Sequence, residues 1–417
     1  KGVIIGIIDT GIDFTHPDFQ DTLGNTRILA IWDQRLGFDS TLTPSKYGYG
    51  QAWDSAAINN GTCTHVDPLS DFGHGTNVSG IAAGNGNSVN KSIADYTGYA
   101  PESHLVVVAS NFNANNWTST VADAVDYIFH LGDSLNMPVV INASLGQLTG
   151  SHDGLDAPAQ FIDSLINAKP GRAMVCAAGN FGGLPDYHLG YNVNSDTSFT
   201  WFVSNPNSAF GFNAVFYELW ADTNQFNNVN FSLGASDSSN GNLIGRTSFG
   251  QIQNRLNILY TDSIFDDSGS YVTQVQTYAE CQGSRYLLQV FLNNPPSAHY
   301  YDLITTGSGK LDVWSSSLFG YSDMLKNNLP GIGNLSRLSF YQKPDTLQSI
   351  VSSWACSPNV ITVGNYTNRN SFVDVDSVTQ NFAVTPGALS ASSSRGPSRL
   401  GVLKPDLSAP GDYTLAA

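Results

Sequence analysis

The sequence predicts an α/β fold, a parallel sheet with helices on both faces, into which an antiparallel β-sandwich or jelly-roll-like domain is inserted. In the first and last parts of the chain, short apolar runs alternate with a segment of helical periodicity, which is typical of a parallel sheet. In the middle, apolar and polar residues alternate between recurrent turn clusters, which is typical of an antiparallel sandwich. We therefore predict an α/β domain formed by 1–182 and 349–417, and an inserted β domain formed by 183–348.

The parallel strands are predicted from short runs rich in valine and isoleucine, the composition of strands that are buried on both faces. The runs are GVIIGIID at 2–9, HLVVVAS at 104–110, MPVVINASLG at 137–146, RAMVCAAGN at 172–180 and NVITVGNY at 359–366. The segment 118–134 has apolar residues at the spacing of one helical face, with serine and threonine as candidate caps. Because this helix separates two of the strands, we expect crossover connections between parallel neighbours.

The inserted domain is predicted from β-type stretches that are separated by turn clusters such as NPNSAFGFN and DSSNGN. The stretches are SFTWFVSN at 198–205, AVFYELWADT at 214–223, NFSLGAS at 230–236, YLLQVFLNN at 286–294, YYDLITT at 300–306 and KLDVWSS at 310–316. No convincing helix intervenes, so we expect antiparallel pairing.

The composition restricts the class of protein and its partners. Charged residues make up only 12% of the 417 residues, and the net charge is -16. Because phosphate binding needs clustered lysine and arginine, we expect no nucleic-acid partner. No apolar run reaches the roughly 18 residues that a membrane helix needs, so we expect no membrane segment. The low charge and the many glycine and small polar residues favour a secreted protein.

The cysteines predict neither a metal site nor a disulfide framework. Cys63, Cys176, Cys281 and Cys356 show no zinc-type spacing with histidine and are sparse for a chain of this length. Whether any two of them are bridged stays open. No motif in the sequence specifies a cofactor.

Three segments place chemically suitable side chains next to strand or helix ends. Asp9 follows the first apolar run, and the carboxyl end of a parallel strand is where open α/β sheets place functional groups. His74 stands between two glycines at the predicted start of a helix, whose dipole favours the neutral, basic imidazole. Asn180 follows a strand, and its amide suits donation to a developing oxyanion. Taken singly, Asp9 fits an N-cap or turn residue better than a functional one, and Asn180 also fits a turn residue, whereas the glycines around His74 favour a functional histidine.

Together these segments resemble the motifs of the subtilisin-like serine peptidases, the subtilase family. DTGIDFTHPDF at 9–19 is similar to the family's aspartate motif, and GHGTNVSGIAAG at 73–84 is similar to its histidine motif. INASLG at 141–146 and AAGN at 177–180 resemble its substrate-binding strand and its oxyanion segment. VITVGNY, SSSRGPS and KPDLSAPG resemble the run that leads to its serine motif. The matches follow the family's order along most of the predicted α/β domain.

The resemblance implies a serine endopeptidase that hydrolyses peptide bonds with an Asp-His-Ser triad. It implies that His74 is the general base, that Asp9 orients the imidazole and stabilises its cation, and that Asn180 donates to the oxyanion. It also implies a protein or peptide substrate and a secreted or cell-surface location in a bacterium. No cofactor is implied; structural calcium occurs in the family, but the loop AAGNGNSVNKSIADY does not match the usual pattern.

The same resemblance implies where substrate binds. Ser144, Leu145 and Gly146 would form one wall of the pocket for the residue before the cut, through backbone hydrogen bonds, and Gly179 would shape its floor. Phe181 stands where other members often carry a polar residue, which favours an apolar pocket.

The nucleophile of the family is not found in the sequence. Its serine lies in a Gly-Thr-Ser motif that follows the Ala-Pro-Gly segment, and no Gly-Thr-Ser occurs in the 417 residues. Ser392, Ser393, Ser394 and Ser408 lie before or within that segment, so none of them fits. We expect a chain incomplete at both ends, a serine beyond Ala417, and no activity from the 417-residue piece alone.

Two alternatives stay open at this level. The chain fits a catalytically inactive pseudopeptidase that serves as a binding or scaffold protein. It also fits a nicked enzyme, in which a C-terminal fragment carrying the serine stays bound as a partner.

The other histidines fit structural positions. His16 lies in a turn and His104 begins a strand. We expect His188 at the surface, with a substrate contact as the less favoured interpretation. Asp9 and His74 are 65 residues apart, a separation that is stretched by residues 33–71. We interpret 33–71 as a long loop that covers the cleft or restricts the substrate.

Overall fold

The computed structural model describes residues 1–68, 70, 72–88, 96–183, 186–331, 335–345, 349–374 and 376–414. Among them the first strands are β1 (Ile4–Asp9), β2 (Ile28–Asp33), β3 (Gln51–Asp54), β4 (His104–Ala109), β5 (Val139–Ala143), β6 (Arg172–Ala177), β7 (His188–Val193), β8 (Ser198–Val203), β9 (Ala214–Asp222), β10 (Val229–Asp237) and β11 (Leu243–Arg246). The strands that follow are β12 (Leu259–Phe265), β13 (Tyr271–Gln282), β14 (Arg285–Asn293), β15 (His299–Gly307), β16 (Gly309–Trp314), β17 (Asp323–Met324), β18 (Val360–Thr367), β19 (Ser371–Val373), β20 (Thr379–Asn381) and β21 (Leu407–Asp412). The α-helices are α1 (Ser55–Asn59), α2 (His74–Ala83), α3 (Trp117–Ser134), α4 (Ala157–Asn167) and α5 (Thr223–Phe226).

The largest sheet has eight strands in the order β21-β18-β6-β5-β1-β4-β2-β3. All neighbours pair in parallel except β2 and β3. In β1, Ile8 lies opposite Val108 of β4 and Ala143 of β5. Because the parallel strands run in one direction, their carboxyl ends meet at one edge of the sheet, where ligands bind in open α/β folds.

Helices cover both faces of this sheet. Successive side chains of a strand point to opposite faces, so β1 contributes to two cores. Ile8 lies in a buried cluster with Val125 of α3 and Ile162 of α4. Ile7 lies in another buried cluster, with Ala83 of α2. The α/β fold with helices on both faces of a parallel sheet is thus confirmed, and α3 begins one residue before the predicted segment 118–134.

Strands β7 to β17 form two antiparallel sheets, which we call the antiparallel region. Their orders are β11-β10-β15-β8-β17 and β12-β13-β14-β9-β16-β7. One buried apolar cluster contains residues of both sheets, including Phe202 and Leu303 of the first and Leu219 and Leu288 of the second. Additional antiparallel sheets agree with the predicted fold class. The boundaries 182/183 and 348/349 of an inserted domain stay a prediction, and 346–348 lie outside the described residues.

A cluster of mainly aromatic side chains joins the antiparallel region to the segments that follow β5 and β6 of the parallel sheet. Leu148 and Phe181, which follow β5 and β6, are buried against Trp220 and Trp314. The Phe181 ring also meets the Phe319 ring edge to face, with 4.9 Å between centroids. Edge-to-face pairs stabilise by about 0.5–1.5 kcal/mol beyond the burial of their area. The segments after β5 and β6 are therefore fixed in part by the antiparallel region.

A buried charge network lies beside this cluster and is centred on Arg399. Its guanidinium contacts Asp153 at 2.5 Å and Asp222 of β9 at 2.6 Å. It also lies 3.4 Å from Asp312 of β16. Arg285 of β14 donates to the same Asp153 carboxylate at 2.7 Å. Because each buried charge faces an opposite charge, the cost of removing them from water is offset.

His188 is buried in this network, so the expectation of a surface histidine is wrong. Its Nδ1 lies 2.8 Å from Asp345 and its Nε2 lies 3.3 Å from Asp312. Burial alone would lower the pKa of His188, but the hydrogen bonds to the two carboxylates outweigh it and raise the pKa from 6.5 to about 8. His188 is therefore an ion-pair partner of Asp312 on the neighbouring strand β16 and of Asp345.

The described residues contain no helix that is long and apolar enough to cross a membrane. Within the same part of the chain, no group of three or more His, Cys, Asp or Glu side chains could hold a metal ion. The four cysteines are free thiols; Cys63, Cys176 and Cys356 are buried, whereas Cys281 is exposed.

Candidate active site

Asp9 ends β1 at the carboxyl edge of the parallel sheet and is fully buried. Its Oδ1 accepts a hydrogen bond from the backbone amide of Thr10 at 2.8 Å. The same oxygen accepts from Nδ1 of His74 at 2.6 Å. A carboxylate at this position fixes the imidazole tautomer, so that the second ring nitrogen is the basic one.

His74 is the first residue of α2, and the glycines beside it permit its close approach to β1. Gly73 caps the helix in the left-handed region, with φ of 62°. A Cβ built on Gly75 would overlap the carbonyl oxygen of Gly11, so only glycine fits there. The side chain of His74 is 52% exposed although its partner carboxylate is buried. The Asp9 carboxylate is therefore enclosed by protein, whereas the His74 ring is accessible from solvent.

Asn180 lies at the same edge of the sheet, three residues after β6. β6 is separated from β1 by β5 alone, which corresponds to about 10 Å between strand axes. Asn180 itself is exposed. Its neighbour Ser394 donates its backbone amide to the carbonyl of Gly179 at 2.8 Å, and its hydroxyl accepts from the amide of Phe181 at 3.0 Å. These bonds hold the backbone on both sides of Asn180.

The predicted pocket walls come close to each other. A Cβ built on Gly146 would lie 3.2 Å from Cα of Gly179 and 3.6 Å from the ring of Phe181. Leu145 is buried, and the Ser144 hydroxyl accepts a hydrogen bond from the side-chain amide (Nδ2) of Asn142 at 3.0 Å. The Phe181 ring thus occupies the space beside both glycines and faces the antiparallel region. The structure brings the residues of the predicted pocket together, and their binding of substrate stays a prediction.

Two buried residues near the Asp9–His74 pair, Asp67 and His65, were not predicted from the sequence. Both lie in the segment between β2 and α2; Asp67 contacts Thr10 and Thr76, and His65 contacts the backbone amide of Ile12. Some of their partners are distant in sequence: Asp33 lies 2.8 Å from His65 and 32 residues before it, and Thr10 lies 57 residues before Asp67. A pattern along the chain cannot reveal such a contact; the signal is only that two aspartates and a histidine precede GHG.

A buried aspartate and a half-exposed histidine thus form a pair at the carboxyl edge of the parallel sheet. This edge is where open α/β proteins place their functional groups. The chain belongs to the subtilase family, whose model matches residues 1–257 and 332–417. The predicted family is therefore confirmed. The match extends into residues that we assigned to the inserted domain, so it does not delimit that domain.

Curated relatives match over a limited part of their length. The PII-type proteinase of Lacticaseibacillus paracasei is 33% identical over 190 residues, 44% of this chain and 9% of that protein. Subtilisin-like protease SBT2.1 of Arabidopsis thaliana is 26% identical over 202 residues, 44% of this chain and 24% of that protein. The chain thus matches a quarter or less of the length of these relatives.

A solved structure, that of the CspB protease of Clostridium perfringens, resembles the whole chain. The TM-score is 0.67 with 21% sequence identity, and the similarity covers 100% of this chain and 76% of the other. At this identity the resemblance supports the fold.

Proposed function

We propose that this chain carries the aspartate, the histidine and the oxyanion donor of a serine endopeptidase that acts on proteins. The observation that carries the proposal is the 2.6 Å hydrogen bond between Asp9 and His74 at the carboxyl edge of the sheet. The family supports the same class of activity, because subtilases use a triad of aspartate, histidine and serine.

In the proposed mechanism, His74 acts as general base and then as general acid. Its Nδ1–H stays on Asp9, which leaves Nε2 to take the proton of the attacking serine hydroxyl. The buried carboxylate stabilises the imidazolium that forms, because opposite charges attract more strongly away from water. The proton then passes from Nε2 to the leaving amine, and the second half-reaction repeats the steps with water.

The oxyanion and the substrate backbone meet the neighbouring strands. Asn180 would donate its side-chain amide to the tetrahedral oxyanion, a contribution worth roughly 10²–10³ in kcat by the value known for subtilisin itself. Ser144, Leu145 and Gly146 would bind the substrate backbone as an added strand, with Gly179 on the opposite side. We place the substrate, a protein or peptide, outside the cell or at its surface.

The nucleophile is proposed to be a serine outside residues 1–417, because no Gly-Thr-Ser occurs within them. Residues 1–417 alone would then bind substrate without cleaving it, because loss of one triad member removes several orders of magnitude in rate.

The proposal is tested with a fluorophosphonate probe and a protein substrate, applied to the full-length protein. We expect covalent labelling and hydrolysis, and we expect both to fall by several orders of magnitude in His74→Ala. His130→Ala, which alters an exposed histidine on α3, is the matched control and should retain both. If folded full-length protein is neither labelled nor active, the proposal is wrong and the chain is a pseudopeptidase.

A further inference from the structure

The segment that connects β2 to α2 returns to the Asp9–His74 pair and places Asp67 beside it. Asp67 Oδ1 accepts from the hydroxyl of Thr10 at 2.8 Å. Its Oδ2 accepts from the backbone amide of Thr76 at 3.0 Å and from the Thr76 hydroxyl at 2.6 Å. Thr10 directly follows Asp9, and Thr76 lies two residues after His74. One buried carboxylate therefore joins the two backbone segments that carry the pair.

The directions of these hydrogen bonds are determined by the backbone. The Thr10 hydroxyl accepts from the amide of Gly75 at 2.9 Å, and the Thr76 hydroxyl accepts from the amide of Asp13 at 2.7 Å. Because an amide N–H can only donate, each hydroxyl has its own proton left to donate, and in both cases the acceptor is Asp67. An asparagine at this position would leave at least one of these protons without an acceptor.

The same segment is fixed by a second histidine–aspartate pair. His65 Nδ1 lies 2.8 Å from Asp33, and its Nε2 accepts from the amide of Ile12, in the turn after β1, at 3.1 Å. Burial would raise the pKa of Asp33, but hydrogen bonds and charges from Arg35 and His65 outweigh it and lower the pKa to about 2. An ionised Asp33 keeps the proton of His65 on Nδ1, which leaves Nε2 as the acceptor.

We propose that Asp67 is a positioning residue that sets the distance and the angle between Asp9 and His74. Its catalytic consequence rests on the proposed function, whereas its effect on the pair does not. Asp67 binds the segments next to both members, so its loss would let the start of α2 move relative to the end of β1. A displacement of about 1 Å in such a site costs on the order of 100-fold in rate.

The first test is Asp67→Asn in the full-length protein, a substitution that preserves shape. We expect kcat to fall about 100-fold while KM changes less than about three-fold. KM should change little because the predicted pocket walls follow β5 and β6, whereas Asp67 contacts the end of β1 and the start of α2. The matched control is Asp39→Asn. Asp39 belongs to the same segment and also accepts from a threonine, at 2.7 Å from the hydroxyl and 2.8 Å from the amide of Thr41. An equal effect of both substitutions, or none at Asp67, overturns the proposal.

A second pair of variants distinguishes positioning from general destabilisation. Thr76→Ser keeps the hydroxyl that donates to Asp67, whereas Thr76→Val replaces it with a methyl group of similar size. We expect Ser to retain kcat and Val to lose most of it, although Ser removes more apolar volume. If Ser is the poorer variant, packing matters and the hydrogen bond does not. This pair also decides the matter if Asp67→Asn fails to fold.

The third readout does not depend on activity. The Nδ1 proton of a histidine bound to a carboxylate gives a far-downfield NMR resonance, which is assigned to His74 by its absence in His74→Ala. We expect this resonance in the wild-type protein, and we expect it to shift or broaden in Asp67→Asn but not in Asp39→Asn. An unchanged resonance in Asp67→Asn overturns the positioning role. If the wild-type protein shows the resonance but never cleaves, the proposed function fails separately.

Discussion

Deprotonation of His188 is expected to reduce the free energy of unfolding as the pH rises from 6.5 to above 8. In the folded protein the pKa of His188 is raised from 6.5 to about 8 by its hydrogen bonds to Asp312 and Asp345. A group whose pKa is raised on folding stabilises the folded state fully below its unfolded pKa. That stabilisation is lost as the pH rises through the folded pKa, so the window extends from pH 6.5 to somewhat above 8.

The magnitude follows from the two pKa values. A difference of about 1.5 between them corresponds to about 2 kcal/mol of stability. The side chain of His188 is only 7% exposed, so solvent screens the interaction little. Two carboxylates face the ring, at 2.8 Å and 3.3 Å, while Arg399 lies on the far side of Asp312 and competes for that carboxylate. His152, which stacks on Trp314, is buried with a lowered pKa. Its contribution to the free energy of unfolding is therefore lost as the pH falls, opposite to that of His188.

The assay is urea unfolding at a series of pH values for the wild-type protein and His188→Gln. Glutamine hydrogen-bonds without titrating, so the difference between the two proteins isolates His188 from His152 and from the remaining groups. We expect that difference to shrink by about 2 kcal/mol across the window. His130→Gln, at an exposed position on α3, is the control and should follow the wild-type curve. Parallel curves for the wild-type protein and His188→Gln would contradict a raised pKa of His188.

Three further predictions concern stability and reactivity. Arg399→Ala leaves the buried Asp153 carboxylate with fewer cations and should cost about 3–5 kcal/mol in urea unfolding. Lys169→Ala, which removes an exposed ion pair, should cost less than about 1 kcal/mol, and equal costs would contradict this account. Gly75→Ala forces a methyl group into the carbonyl oxygen of Gly11 and should lower the free energy of unfolding by about 3 kcal/mol or abolish folding. Thermal unfolding measures this, and a variant as stable as the wild-type protein would disprove the close approach of Gly75 to Gly11. Only Cys281 should react rapidly with a thiol reagent in the native protein, with all thiols reacting after denaturation; rapid native reaction of a second thiol would count against the observed burial.

Local sequence patterns predicted strands that are buried on both faces and helices that have one apolar face. β1 and β4 are buried on both faces, and their continuous apolar runs indicate this directly. α3 has a clear apolar stripe and was predicted to within one residue. In contrast, β2 was missed although its sequence, ILAIWD, is equally apolar. β3 and α1 were missed because they lie within 33–71, which we interpreted as a loop.

The supporting residues of the candidate site could not be predicted in this way. Asp9 and His74 belong to motifs with distinctive glycines, so the resemblance to a family identifies them. Asp67 and His65 have no such context, because their partners come from other segments. His188 was misjudged for the same reason: a histidine before an apolar strand looks exposed until two distant carboxylates are seen beside it.

The neighbouring positions of β6 and β18 have a consequence for how the chain folds. Met174 pairs with Val360 in the sheet, although the entire antiparallel region lies between them in the chain. During synthesis, β1 to β6 therefore emerge as an incomplete sheet whose edge at β6 has no partner. Such an edge is prone to pairing with other chains until it is covered. Folding of the antiparallel region shortens the span between β6 and β18, which lowers the entropic cost of closing the sheet.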